Sequence, residues 1–161
     1  MDKTITKIQA QIIQLLPADL QNQPFLLADS CSEVTRVVAQ WIKQLNNTCD
    51  IAILKGDHVC GTQKSHDILA VTTNDRLVYV IDPTIWQFFC DAQSILVLKL
   101  KDGMLDFNKI KEKYGGDWSQ NEIFTQLTEE EEKEYLDIIT QNIMANITEL
   151  KKGEVGETTE T

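Results

Sequence analysis

Residues 29–42 read DSCSEVTRVVAQWI and predict a helix that begins at a cysteine. Apolar residues recur there at steps of three and four, the spacing of a single helical face. That face consists of Val34, Val37, Val38, Trp41, Ile42 and Leu45. Ser30 and Glu33 occupy the positions of a capping box, with Ser30 as the N-cap residue. We therefore expect Cys31 at the first helical position, away from the apolar face.

The position of Cys31 has chemical consequences. The unpaired amides and the positive dipole end of a helix start favour a charged thiolate over a thiol. The amide of Cys31 itself would point outward, where it is available to stabilise an oxyanion. The alternative is that Cys31 packs as a small buried apolar residue, which is the common role of a free cysteine.

Downstream of this helix, short apolar runs predict β-strands. They lie at residues 49–58 (CDIAILKGDH), 66–73 (HDILAVTT), 76–83 (RLVYVIDP) and 94–100 (SILVLKL). Asn74 and Asp75 form a turn between the second and third runs and predict a hairpin. His66 opens one hairpin strand and Asp82 ends the other, so an antiparallel pairing places them side by side. An aspartate in that place holds the histidine tautomer and stabilises the imidazolium.

The remaining segments complete an α+β pattern with an antiparallel sheet of about four strands. The first helix carries apolar residues on one face and is closed by Pro17, and a short helix is expected around residues 107–114. Thr128 and Glu131 form a capping box before the last helix. Residues 1–150 are predicted as one domain, and residues 151–161 (KKGEVGETTET) as a disordered tail.

Composition restricts the classes of function. The 161 residues suit one domain, and a formal net charge of -10 disfavours nucleic acid as a partner. The sequence contains neither a signal peptide nor an apolar run long enough for a bilayer, so we expect a soluble protein without membrane contact. It would be cytoplasmic or exported without a signal peptide. The four cysteines form no paired motif, so we expect reduced thiols and neither a metal nor another cofactor.

The order of these motifs resembles the papain-like fold. A cysteine begins a helix in DSCSEVTRVVAQWI, a histidine opens the strand SHDILAV, and an aspartate closes the strand in VYVIDPT. These stretches cover residues 29 to about 89, and their short spacing is most similar to compact bacterial papain-fold toxins and deamidating effectors, including the dermonecrotoxin type. The resemblance implies a cysteine hydrolase that acts on protein amides, by glutamine deamidation or by peptide or isopeptide cleavage.

The resemblance also implies roles for individual residues. Cys31 corresponds to the nucleophile, His66 to the general base and acid, and Asp82 to the residue that orients the histidine. Trp86 is the candidate that shields the histidine–aspartate hydrogen bond. Plant-type members place an oxyanion glutamine where this chain has Phe25, and here Gln23 is the candidate, with Gln21 and Asn22 as alternatives.

The implied partners are a protein substrate and a dedicated neutralising immunity protein. Two other functions stay open at the level of sequence. One is an interaction module that keeps the fold without catalysis, and the other is an acyl transferase of the same fold. Papain-like cell-wall endopeptidases also share the DSCS stretch, but they usually carry glycine where this chain has Glu33.

Overall fold

The computed structural model describes the backbone of residues 1–159 and the side chains of residues 1–153. The described residues form four α-helices and five β-strands, and the first four strands follow one another between the second and third helices. The helices are α1 (Asp2–Ile13), α2 (Cys31–Leu45), α3 (Phe107–Tyr114) and α4 (Glu129–Thr159). The strands are β1 (Asp50–Asp57), β2 (His66–Thr72), β3 (Val78–Ile81), β4 (Leu96–Leu100) and β5 (Asp117–Ile123). The predicted α+β class and the short helix at residues 107–114 are confirmed.

The strands form one antiparallel sheet in the order β4-β3-β2-β1-β5. The predicted hairpin at Asn74 and Asp75 is confirmed as β2–β3. The prediction of about four strands misses β5, which pairs with β1 at the edge of the sheet. Most side chains of β5 are exposed, so its sequence, DWSQNEI, lacks the apolar alternation that marks a half-buried strand.

Helices cover both faces of the sheet, which explains the continuous apolar runs of β2 and β3. Odd-numbered residues of these strands, such as Leu69 and Ile81, pack with α1, α2 and α4 in the larger core. Even-numbered residues, such as Ile68 and Val80, pack with α3 in a second core. The alternation matters for the site, because His66 and Asp82 are even-numbered and belong to the α3 face.

Helix α4 begins at the predicted capping box. The Thr128 amide donates to the Glu131 carboxylate at 3.0 Å, and the Glu131 amide donates to the Thr128 hydroxyl at 3.1 Å. The helix continues to Thr159, so the tail predicted for residues 151–161 begins inside α4, and residues 160–161 lie outside the described residues. Among the described helices, none combines the length and the apolar character that a bilayer-spanning segment requires.

Candidate active site

Helix α2 begins at Cys31 with Ser30 as its N-cap, as the sequence predicts. The predicted side-chain bond of the capping box is wrong, because the Ser30 side chain makes no capping hydrogen bond. Ser30 is fully buried, and its hydroxyl instead accepts a hydrogen bond from the Asn142 side chain of α4 at 3.0 Å. The first-turn amides of α2 therefore have no side-chain cap, and they remain available to stabilise negative charge next to Cys31.

His66 and Asp82 meet where β2 begins and β3 has ended. The last paired residues are Leu69 and Ile81, and beyond them the two chains run on side by side to His66 and Asp82. The His66 Nε2 atom lies 2.8 Å from the Asp82 Oδ2 atom, and both side chains are 0% exposed. A carboxylate accepts and does not donate, so Nε2 carries the proton of this hydrogen bond.

The second ring nitrogen of His66 is left for Cys31. Nδ1 is buried, and among the described residues it makes no hydrogen bond. Cys31 is near enough to the imidazole to contribute to raising the pKa of His66. Cys31 is partly exposed, whereas His66 is fully buried. Of these two groups, the thiol is therefore the one that solvent can reach.

Two opposing effects set the protonation of His66. Burial lowers the pKa of the imidazole because the interior solvates its charged form poorly. The Asp82 carboxylate, by charge and hydrogen bond, and Cys31 more weakly, raise the pKa, and the net result is about 10. His66 is therefore an imidazolium at neutral pH, which is the form that stabilises a thiolate and that delivers a proton to a leaving group.

Tyr114, which the sequence reasoning missed, is a further member of the site. Its hydroxyl donates to the Asp82 Oδ2 atom at 2.6 Å, the same oxygen that accepts from His66. The other carboxylate oxygen, Oδ1, accepts from the Thr84 amide at 3.1 Å. Tyr114 ends α3, and only the docking of that helix on the sheet brings it to Asp82, so no local sequence pattern signals the contact.

Aromatic rings enclose His66 on the α3 side of the sheet. Phe88 meets the imidazole edge-on at a centroid distance of 4.9 Å, and Tyr114 lies at 6.0 Å. The predicted shield, Trp86, packs in the larger core, its indole donates to the Ala92 carbonyl at 3.0 Å, and its shielding role stays a prediction. Phe88 is the ring that covers the imidazole.

Within the described residues, the side chain of Gln23 makes no hydrogen bond, to Cys31 or to any other group. The described hydrogen bonds of Gln23 use its backbone: its amide donates to Leu20 and its carbonyl accepts from Leu26 at 3.1 Å. The oxyanion donors that the geometry supports are therefore backbone amides of the first turn of α2, and the predicted role of Gln23 stays a prediction.

Arg36 ties the helix of the nucleophile to the strand of the base. Its Nη1 atom donates to the Ser32 carbonyl at 2.9 Å and to the Ser32 hydroxyl at 2.8 Å, and it lies 3.1 Å from the Asp67 carboxylate. Its Nη2 atom contacts Glu122 on β5. Because Asp67 directly follows His66, this ion pair fixes the first turn of α2 against the start of β2.

The other three cysteines provide an internal comparison for Cys31. Cys49 is buried, while Cys60 and Cys90 are exposed, and all four thiols are free. Burial and the nearby Asp82 raise the pKa of the Cys60 thiol, which makes it a poorer nucleophile at neutral pH. Within the described residues, no cluster of three histidine, cysteine, aspartate or glutamate side chains is arranged to hold a metal ion.

No protein-family model, no curated protein and no solved structure matches this chain. The papain-like resemblance therefore stays an expectation from the sequence motifs.

Proposed function

We propose that the protein is a cysteine hydrolase of protein amides, with Cys31 as nucleophile, His66 as general acid and base, and Asp82 as the residue that orients the imidazole. The observation that carries this proposal is the buried His66–Asp82 pair, at 2.8 Å, whose second ring nitrogen is left for the thiol at the start of α2. Burying the charges of His66 and Asp82 costs free energy, and buried pairs of this kind are concentrated at active sites. The partly exposed thiol beside the pair is the group on which they would act.

The proposed reaction follows from these positions. The Cys31 thiolate attacks the carbonyl carbon of a carboxamide or peptide bond, and first-turn amides of α2 stabilise the resulting oxyanion. The His66 imidazolium gives its Nδ1 proton to the departing nitrogen, which leaves as ammonia or an amine and leaves a thioester on Cys31. Neutral His66 then removes a proton from water, whose oxygen attacks the thioester, and the carboxylic acid product leaves as the thiol is restored.

The papain-like fold and the setting of a bacterial toxin or effector belong to the same proposal. Both rest on the order of the sequence motifs, and the antiparallel sheet with a helix that begins at Cys31 is compatible with them. The proposed partners are a protein substrate and a neutralising immunity protein. Induced expression in a bacterial and a yeast host tests this setting: wild type should slow growth and Cys31→Ala should not, whereas equal growth of both strains in both hosts would contradict it.

To test the hydrolase reaction, the protein is incubated with a mixture of glutamine-containing peptides, and the products are analysed by mass spectrometry. Wild type should convert amide to acid or generate new peptide ends. Cys31→Ala should lose this activity, whereas Cys90→Ala, which removes an exposed thiol outside the site, should keep it. Activity that survives Cys31→Ala would refute the proposal. Adding a primary amine separates hydrolysis from acyl transfer, because a transferase would join the amine to the acyl group.

A further inference from the structure

The sharing of one carboxylate oxygen by His66 and Tyr114 has a mechanistic consequence. We infer that Tyr114 is a positioning residue that moderates the Asp82–His66 pair: its hydroxyl withdraws charge from the shared oxygen, so that His66 releases its proton more readily to the leaving group. This inference rests on the proposed hydrolase function, and it deepens that function by assigning control of the proton-transfer step to α3.

The geometry marks the Tyr114 bond as a strong one. The distance from its hydroxyl to Asp82 Oδ2 is 2.6 Å, within the short range that is typical of a hydroxyl bound to a charged carboxylate. The same oxygen lies 2.8 Å from His66 Nε2. Two donors on one oxygen compete for its negative charge, so each weakens the stabilisation that the other receives.

Packing holds Tyr114 in this position and keeps it protonated. The side chain is 1% exposed, and its ring packs between Phe89 at 5.3 Å and Trp118 at 5.2 Å. Burial, followed by the charge of Asp82, raises the pKa of Tyr114 well above its ordinary value. The phenol therefore remains protonated, and a hydrogen-bond donor, at neutral and mildly alkaline pH. Its role is that of a fixed hydrogen-bond donor and not of an acid in the reaction.

Strand β1 leaves room for this arrangement. Gly56 pairs with both His66 and Trp118 across the sheet, so the three positions form one row. A β-carbon at Gly56 would approach atoms of the Trp118 ring to 2.5 Å. The absence of a side chain there allows Trp118 to lie over β1 and to support Tyr114. The Trp118 indole also donates to the Gly115 carbonyl at 2.8 Å, directly after the end of α3.

Within the described residues, two thiols act on the groups around this oxygen. Cys31 of α2 acts on His66, while Cys60, from the turn after β1, acts by charge on Tyr114 and lies near enough to Asp82 for the carboxylate to raise the pKa of its thiol. Lys113 of α3 acts in turn on Cys60. A clean measurement therefore removes both thiols, as Cys31→Ala with Cys60→Ser, so that neither thiol contributes to the titration of His66.

The test is an NMR titration of the His66 ring in that background, with the resonance assigned through His58→Gln, since the chain has 2 histidines. Tyr114→Phe should raise the pKa of His66 by on the order of one pH unit, because Asp82 then concentrates its charge on the imidazolium. A ring-fluorinated tyrosine at position 114, a stronger donor that preserves the packing, should shift it downward. Tyr79→Phe, at a buried tyrosine in the larger core, is the matched control and should cause no shift.

The direction in which Tyr114→Phe shifts the pKa of His66 decides whether the inference holds. If Tyr114 only supports packing, Tyr114→Phe will loosen the His66–Asp82 contact and lower the pKa, or leave it unchanged, and the fluorinated residue will have no effect. Either result overturns the inference. Failure of the proposed function is recognised separately, because it would appear as an inert Cys31 in the unmodified chain, whereas the titration uses a chain that lacks Cys31.

Discussion

Replacing Asp82 by asparagine (Asp82→Asn) removes the charge that faces His66 while keeping the size of the side chain. In the native protein the pKa of His66 is raised from 6.5 to about 10, and both side chains are 0% exposed. A pKa shift of this size corresponds to a contribution on the order of 3–5 kcal/mol to the free energy of unfolding. Because burial alone lowers the pKa, His66 in the variant should be neutral in the folded state.

The sign of this contribution sets a specific pH dependence. A group whose pKa is raised on folding stabilises the protein fully below its unfolded pKa, and the effect is lost as pH rises through the folded pKa. The difference in unfolding free energy between wild type and Asp82→Asn should therefore be largest below pH 6.5 and should shrink towards pH 10.

Urea denaturation of both proteins across this pH range provides the measurement, with His58→Gln as the control. His58 is exposed, so its variant should follow wild type at each pH. A difference between wild type and Asp82→Asn that stays constant from pH 6 to pH 10 would show that the buried pair is not ionic, and it would refute this reasoning.

Two further substitutions test the supports of the site. Gly56→Ala should destabilise the protein by about 1–3 kcal/mol and change tryptophan fluorescence, because the added methyl group displaces Trp118. The control Gly153→Ala, with open space around it, should be neutral or slightly stabilising. Equal effects of the two substitutions would contradict the close packing of Gly56 against Trp118. Arg36→Met should cost roughly 1–3 kcal/mol in urea unfolding because it leaves Asp67 without its partner, while Glu122→Gln, at the more exposed contact of the same guanidinium, should cost less than about 1 kcal/mol. A larger loss of unfolding free energy in Glu122→Gln than in Arg36→Met would show that the contact with β5 is the stabilising one.

Local sequence patterns were sufficient for the elements that carry the site. The spacing of apolar residues placed the start of α2 at Cys31, and the turn at Asn74 and Asp75 placed His66 and Asp82 on adjacent strand ends. Both features depend on short-range rules, namely helical periodicity and hairpin pairing. The capping box at Thr128 is local in the same sense and was also predicted.

The missed features depend on contacts between distant segments. Ser30 occupies the sequence position of a capping residue, but its hydroxyl accepts a hydrogen bond from Asn142 of α4. Tertiary packing decides whether the hydroxyl binds this side chain or an amide of its own helix. Tyr114 reaches Asp82 because α3 docks on the sheet, and the contact of Phe88 with the His66 ring likewise depends on tertiary packing. The sequence pattern does not predict strand β5, because an exposed edge strand needs no apolar alternation.

The most direct measurement is the rate of iodoacetamide labelling at each of the four cysteines as a function of pH, read by peptide mass spectrometry in wild type and His66→Ala. We expect Cys31 to label fastest at mildly acidic and neutral pH and to lose this advantage in His66→Ala. Cys60 and Cys90, which are exposed but not paired with an imidazolium, should label slowly in both proteins. If Cys31 labels no faster than these two, or keeps its advantage without His66, the proposed thiolate–imidazolium pair does not exist.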